Sequence, residues 1–211
     1  MRLVLALLIL AAASPALAQE PPPKIGPFVV DLHATVPRFP TDNLQLAESR
    51  GMQITELPGV GFGVQLGAHV YVFKWKAVTV GLGGEFAASR ATSTPPAGAD
   101  ATLRAATETF KTIAPELSLN FGTGHGWSYI SGGIGTSTWS IVPDAQEPLP
   151  ADTDRVRTVN YGGGARWFAK SHLAFSFDVR FYQIDPGAPS FGYPGSPRTT
   201  LLVIGAGVSV K

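Results

Sequence analysis

The sequence predicts an all-β chain, an up-and-down antiparallel transmembrane β-barrel of about eight strands. Three features carry this prediction. Apolar residues recur with period two over long stretches. Short and long connections alternate along the chain, as an up-and-down barrel with all its tight turns at one end requires. The first residues read as an export signal, and nothing after them is long and apolar enough to be a membrane helix.

The composition sets the bounds. The chain has 211 residues, 24 Gly, no Cys, 45% hydrophobic and 15% charged residues, and a formal charge of +1. So apolar a chain is not disordered. The absence of Cys removes disulfides, thiolate metal sites and Cys nucleophiles together. The near-zero charge excludes a general nucleic-acid binder. Gly exceeds its usual share of roughly 7% without a collagen period, and that excess asks for a structural reason.

Residues 1–18 form the export signal. Arg2 supplies the positive start, residues 3–13 the apolar run, and Ala16-Leu17-Ala18 the small residues before cleavage. Pro15 interrupts a run already short of the roughly 20 residues that a span needs. Arg2 is the only charge in the signal, so its removal takes the 16 basic residues to one fewer, equal to the 15 acids. Residues 19–26 are a polar, Pro-stiffened leader, and residues 27–211 the barrel. The expected location is the bacterial outer membrane.

Each strand follows from alternation. Phe28, Val30, Leu32, Ala34 and Val36 alternate with Val29, Asp31, His33 and Thr35. Val60 to Val72 place Val, Phe, Leu and Ala on even positions and Gly, Gln, His and Tyr on odd ones. Val78, Val80, Leu82, Gly84 and Phe86 repeat the design, and the short link at Lys74-Trp75-Lys76 makes an antiparallel hairpin. Residues 112–121 alternate around Pro115, which removes a ladder bond and predicts a bulge or bend. Residues 127–141 are rich in Gly, Ser and Thr, and their facing is ambiguous. Segments 158–167, 173–182 and 200–210 complete the set. Such lengths exceed the five or six residues of an ordinary strand and suit the roughly 9 to 11 of a membrane crossing. Residues 100–110 are polar and read as loop.

Three connections are short, at residues 74–76, 122–126 and 169–172, and four are long, at 37–57, 90–106, 142–154 and 185–197. Outer-membrane barrels keep short turns in the periplasm and long loops outside. About eight strands leave a lumen that side chains fill. It has no room for rows of large apolar groups, so the large Val, Leu, Ile and Phe face lipid, and Gly, Ser and isolated charges face inward. Phe73, Trp75, Phe121, Trp127, Trp167 and Phe168 sit beside the short turns, the expected place of an aromatic girdle.

On this pattern the chain resembles the small outer-membrane β-barrel family of the OmpA transmembrane domain and OmpX type, over nearly all of its mature length. The resemblance implies monomeric folding in outer-membrane lipid through the barrel assembly machinery, and a structural or surface role. Members commonly close on an aromatic residue, whereas this chain ends Val208-Ser209-Val210-Lys211.

Gln65, Glu85, Glu116, Arg166, Asp178 and Arg180 fall on inward faces and are expected to pair as a lumen network, because a buried charge must be paired. A conducting path or a catalytic carboxylate pair is the functional alternative. The four His do not have metal-ligand spacing, so no metal or cofactor is expected. There is no G-x-S-x-G, and Gly132-Gly133 and Gly162-Gly163-Gly164 lie in strands with no helix after them. The sequence therefore reads as a closed, non-catalytic barrel. Its long loops, including the tip Phe191-Gly192-Tyr193-Pro194-Gly195, offer a surface for an extracellular partner. The other readings are an outer-membrane enzyme acting on lipid or sugar, and a soluble secreted lipocalin-like barrel for an apolar ligand.

Overall fold

The alternating segments become eight strands in a computed structural model, which describes residues 23–95, 97, 98, 100, 102–189 and 192–211. Residues 1–18, expected to be an export signal, and Phe191 of the loop tip lie outside the described residues. The strands are β1 (Phe28–Arg38), β2 (Phe62–Trp75), β3 (Val78–Ser93), β4 (Ala106–Thr123), β5 (Gly126–Pro143), β6 (Val156–Phe168), β7 (Leu173–Ile184) and β8 (Thr199–Val210). Each pairs antiparallel with the next, and β8 returns to β1, so the sheet has no free edge.

The register sets the tilt. Partners followed once round from Val78 run through Phe121, Ser128, Ala165, Phe177, Ala206, Ala34 and Val64 to Ala88, ten residues up the starting strand. A stagger of that size tilts the strands by about 40° from the barrel axis.

The two faces separate as the alternation requires. Leu32, Phe62, Leu82, Ile113, Ile134 and Phe175 are exposed on the outside, while Asp31, Gln65, Glu85, Glu116, Asp178 and Arg180 are buried inside. Strand β5 is resolved too: Trp127, Tyr129, Ser131, Ser137, Trp139 and Ile141 face in. An apolar outside around a buried polar inside is the reverse of a lipocalin-like barrel.

Two local expectations are corrected. Pro115 produces no bulge. Ile113 pairs with Thr136 and Glu116 with Gly133 in one unbroken register, and only the ladder pairs at Ala114 and Pro115 are missing. The proline faces outward, where its missing N–H costs the pairing locally without shifting the strand. The irregularity lies instead in β2, between Tyr71 and Phe73. The extra residue at Val72 reverses the phase of the strand, so Phe73 and Trp75 turn outward although strict alternation would bury them.

The hairpins at the short-turn end are tight. At the other end the loops are longer, and the first of them folds inward. Helix α1 (Leu44–Glu48) begins with Asn43, whose side-chain oxygen accepts from the Leu46 N–H at 3.0 Å. Leu46 and Ala47 are fully buried in the mouth.

Candidate functional site

The lumen is filled by three successive packings. Arg180 on β7 organises the middle one. Its Nε lies 2.9 Å from Glu85 Oε2 and 3.2 Å from Asp178 Oδ1, its Nη1 donates to Glu116 Oε1, and its Nη2 donates to Ser131 Oγ at 2.8 Å. Gln65 donates to Glu85 at 2.5 Å, as does the Tyr182 hydroxyl, and the Tyr129 hydroxyl donates to Asp178 at 2.7 Å. His69 Nε2 stands 3.4 Å from Glu116 Oε2. Three carboxylates thus share one guanidinium, with hydroxyl and amide donors on Glu85 and Asp178, while Glu116 Oε2 has no hydrogen-bond partner among the described residues. All of these residues are buried, so each lost partner would leave a group without solvent to replace it.

Glycine makes this packing possible at two close approaches. A Cβ on Gly83 would lie 2.7 Å from His69 Cδ2, and one on Gly164 would lie 2.8 Å from the Tyr129 hydroxyl.

Arg166 does not join that cluster. It forms its own bidentate pair with Asp31, Nε to Oδ1 at 2.7 Å and Nη2 to Oδ2 at 2.6 Å, and Ser209 donates to the same carboxylate at 2.5 Å. The guanidinium lies 3.9 Å from the Tyr129 ring centroid and 5.7 Å from that of Trp127. Trp127 is therefore removed from the expected outward girdle. It is 3% exposed, stacks on Phe168 at 4.9 Å, and packs with Ile25 and Val29 across the short-turn end. Ile25 belongs to the leader, so residues expected to precede the barrel help to close it. Phe73, Trp75, Phe121 and Trp167 stand outward, between 39% and 63% exposed.

Towards the long loops the lumen is apolar, which corrects the expectation of a uniformly small and polar interior. Phe110, Trp139, Ile141, Tyr182, Ile184 and Leu201 face in, and Phe39, Leu46, Met52 and Leu57 of the first loop descend to meet them. Several of the buried polar groups here are paired. Trp139 Nε1 donates to Glu108 at 2.7 Å, and Arg50 pairs with Asp152 at 2.9 Å, joining the first and third long loops. Glu56 accepts from the backbone N–H groups of Gln53 at 2.6 Å and Arg104 at 2.7 Å. Burial works to raise the Glu56 pKa, but those bonds and the Arg104 guanidinium outweigh it and hold the carboxyl below its ordinary value.

The six residues expected on inward faces are all buried, and alternation does not say which of them meet. Gln65, Glu85, Glu116, Asp178 and Arg180 come together, and Arg166 stands apart. Asp31 and Tyr182 stand at inward positions of the same pattern but are not identified by it as partners, and Tyr129 lies in the segment whose facing the pattern leaves ambiguous. Arg50 and Asp152 carry no periodic signal, because both lie in loops. The lumen also holds a Ser–His contact that alternation does not reveal, His33 Nε2 to Ser176 Oγ at 2.7 Å, with His33 Nδ1 3.4 Å from Gln65 Oε1. Both residues are buried between the packed ends, so the contact works as structure and not as a nucleophile open to substrate. Among the described residues no three His, Asp or Glu side chains converge as a metal site.

Solved structures share the fold. Neisserial surface protein A matches with a TM-score of 0.57 at 12% identity, over 88% of this chain and 97% of its own. Ail, the attachment invasion locus protein of Yersinia pestis, solved with the heparin analogue sucrose octasulfate, matches with a TM-score of 0.51 at 12% identity, over 86% of this chain and 97% of its own. At such identities the likeness is one of fold. No curated protein matches the sequence. The family model described as "Outer membrane protein beta-barrel domain" matches residues 3–209. The chain belongs to that family, and its barrel is of the bacterial outer-membrane kind.

Proposed function

We propose that the protein is a closed outer-membrane barrel, without pore or catalytic activity, whose role is structural or is carried out by its long loops. The supporting observation is a lumen packed along its whole described length. Ile25 and Trp127 fill the short-turn end, the Arg180 network the middle, and Leu46 with Phe110 the mouth. A continuous water path would have to break a buried ion pair or an apolar seal. The protein folds as a monomer, exported with its signal cleaved after Ala18 and inserted by the barrel assembly machinery.

The loop crown narrows the kind of partner. Asp42, Glu48, Asp100, Asp144, Glu147 and Asp154 are exposed there against Arg155 and Arg198, beside the exposed side chains of Leu44 and Tyr193. This favours a neutral or basic partner over a polyanion such as the heparin analogue seen with Ail. Planar-bilayer recording tests the closed lumen. The wild-type barrel is expected to give no discrete conductance steps, and steady steps from folded protein would refute the reading. Lipid analysis of membranes with and without the protein tests the absence of catalysis, and a lipid species altered only in its presence would establish an enzyme.

A further inference from the structure

The outer surface carries a pattern that the lumen does not explain. Away from the short turns, every outward strand position that bears a charge bears a basic one: Arg38 on β1, Arg90 on β3, Lys111 on β4 and Arg157 on β6. They also lie at one height. Arg90 pairs with Thr109, two positions from Lys111 on β4, and Lys111 pairs with Thr138, two positions from Thr136, the partner of Arg157. Arg90 also pairs with Phe62, and the β1–β2 register places Arg38 two positions above the level of that pair. These offsets follow the slope of ten residues per turn of the barrel, so the four cations form a level belt.

The belt stands at a fixed distance from the aromatic end. On three strands an exposed aromatic residue and a belt cation are ten positions apart: Phe28 and Arg38, Phe121 and Lys111, Trp167 and Arg157. Ten residues at about 3.3 Å each, tilted by about 40°, rise about 25 Å. That is the height of the apolar band of an outer-membrane barrel, about 25 Å. The belt therefore marks the hydrocarbon boundary on the long-loop side, where a cation without a counter-ion is costly. Among the described residues none of the four makes an ion pair with an acid, and Arg90 has a hydroxyl partner only, Thr107 Oγ1 at 3.4 Å. Beside Lys111 the outer surface has a hollow of about 210 Å³, with Phe86 and Ile113 as apolar walls and Lys111, Arg155, Thr136 and Thr138 as its polar part. Apolar walls next to cations suit a group with an acyl chain below and a phosphate above. The acidic loop crown lies beyond the belt, so an anion meets favourable potential from the membrane side and repulsion from the solvent side.

We infer that Arg38, Arg90, Lys111 and Arg157, with Arg155, bind the phosphate groups of lipids in the leaflet on the long-loop side. The test uses the folded mature barrel in phosphatidylcholine nanodiscs doped with either lipid A or its dephosphorylated form, with retained lipid counted by native mass spectrometry after transfer to detergent. Wild-type protein is expected to retain the phosphorylated form and not the other. Each cation changed to Gln should weaken retention about fivefold, so that Arg38→Gln/Arg90→Gln/Lys111→Gln/Arg157→Gln loses it. Lys74→Gln/Lys76→Gln/Lys170→Gln, at the opposite end, should retain lipid as wild type does. Heat-modifiable gel mobility reports separately that each variant has formed a barrel; if the fourfold variant does not, the Lys111→Gln/Arg157→Gln pair is used, with a loss of about twenty-fivefold expected. Equal retention of the two lipid forms, retention unchanged in the belt variant, or an equal loss in the opposite-end variant would overturn the inference. So would sucrose octasulfate binding that depends on the belt while lipid retention does not.

Discussion

The middle of the lumen and its mouth are built from the same alternating strands and filled by opposite chemistry. In the middle, Glu85, Glu116 and Asp178 gather round Arg180, with further polar groups from β2 and β5. At the mouth, Phe110, Tyr182, Ile184 and Leu201 receive Leu46 and Ala47 from a loop. A buried ion network depends on complete pairing, because a lone charge in the interior is costly. An apolar plug depends on shape and volume, and it can be supplied by a segment that arrives from outside the sheet. The middle therefore ties strands to one another across the barrel, whereas the mouth ties a loop to the barrel.

Breaking the two regions should separate them. The largest effect is expected from Arg180→Met, which leaves three buried carboxylates without their cation. It should cost about 3–5 kcal/mol in urea unfolding of the barrel in lipid vesicles, followed by heat-modifiable mobility. Leu46→Ala should cost about 2–5 kcal/mol of the plug's packing, read as faster proteolysis within residues 39–61 while barrel mobility stays near wild type. Equal effects of these two variants on barrel unfolding would erase the distinction between the regions. Glu116→Ala should cost less than Arg180→Met, about 1–3 kcal/mol, because Arg180 keeps two carboxylates. No conductance should appear in that variant.

The smallest effect concerns pH at the mouth. The folded-state pKa of Glu56 is depressed, so its contribution is present at and above the ordinary Glu range of about 4 and is lost as pH falls below it. Hydrogen exchange at the Gln53 and Arg104 amides, taken relative to its intrinsic rate, should accelerate as pH falls below that range. In Glu56→Gln it should already be fast at neutral pH and change little.

The two regions also differ in how much of each could be read from sequence. Strand number, connection order and the inward set from Asp31 to Arg180 follow from period-two alternation, which assigns a face but not a partner. That is why Arg166 was grouped with Arg180 although it pairs with Asp31. The mouth was not legible, because Leu46 and Arg50 reach the lumen from a loop whose path has no period. Nearness to a short turn predicts an outward Trp127, whereas its place on β5 turns it inward. Phe73 and Trp75 face out only through the irregularity at Val72, which no alternation rule foresees. The Gly excess finds its reason at positions such as Gly83 and Gly164, where a neighbour's ring or hydroxyl occupies the space of the absent side chain.

The central claim is that these two packings, with the Ile25–Trp127 packing at the short-turn end, seal the barrel. Single-channel recording of the refolded wild-type protein beside Arg180→Met and Leu46→Ala tests it most directly. The account predicts a silent wild type and silent single variants, because the packings left intact, the Ile25–Trp127 end included, still close the lumen. Discrete steps from the wild-type barrel, persisting after heat-modifiable mobility confirms that it is folded, would contradict it.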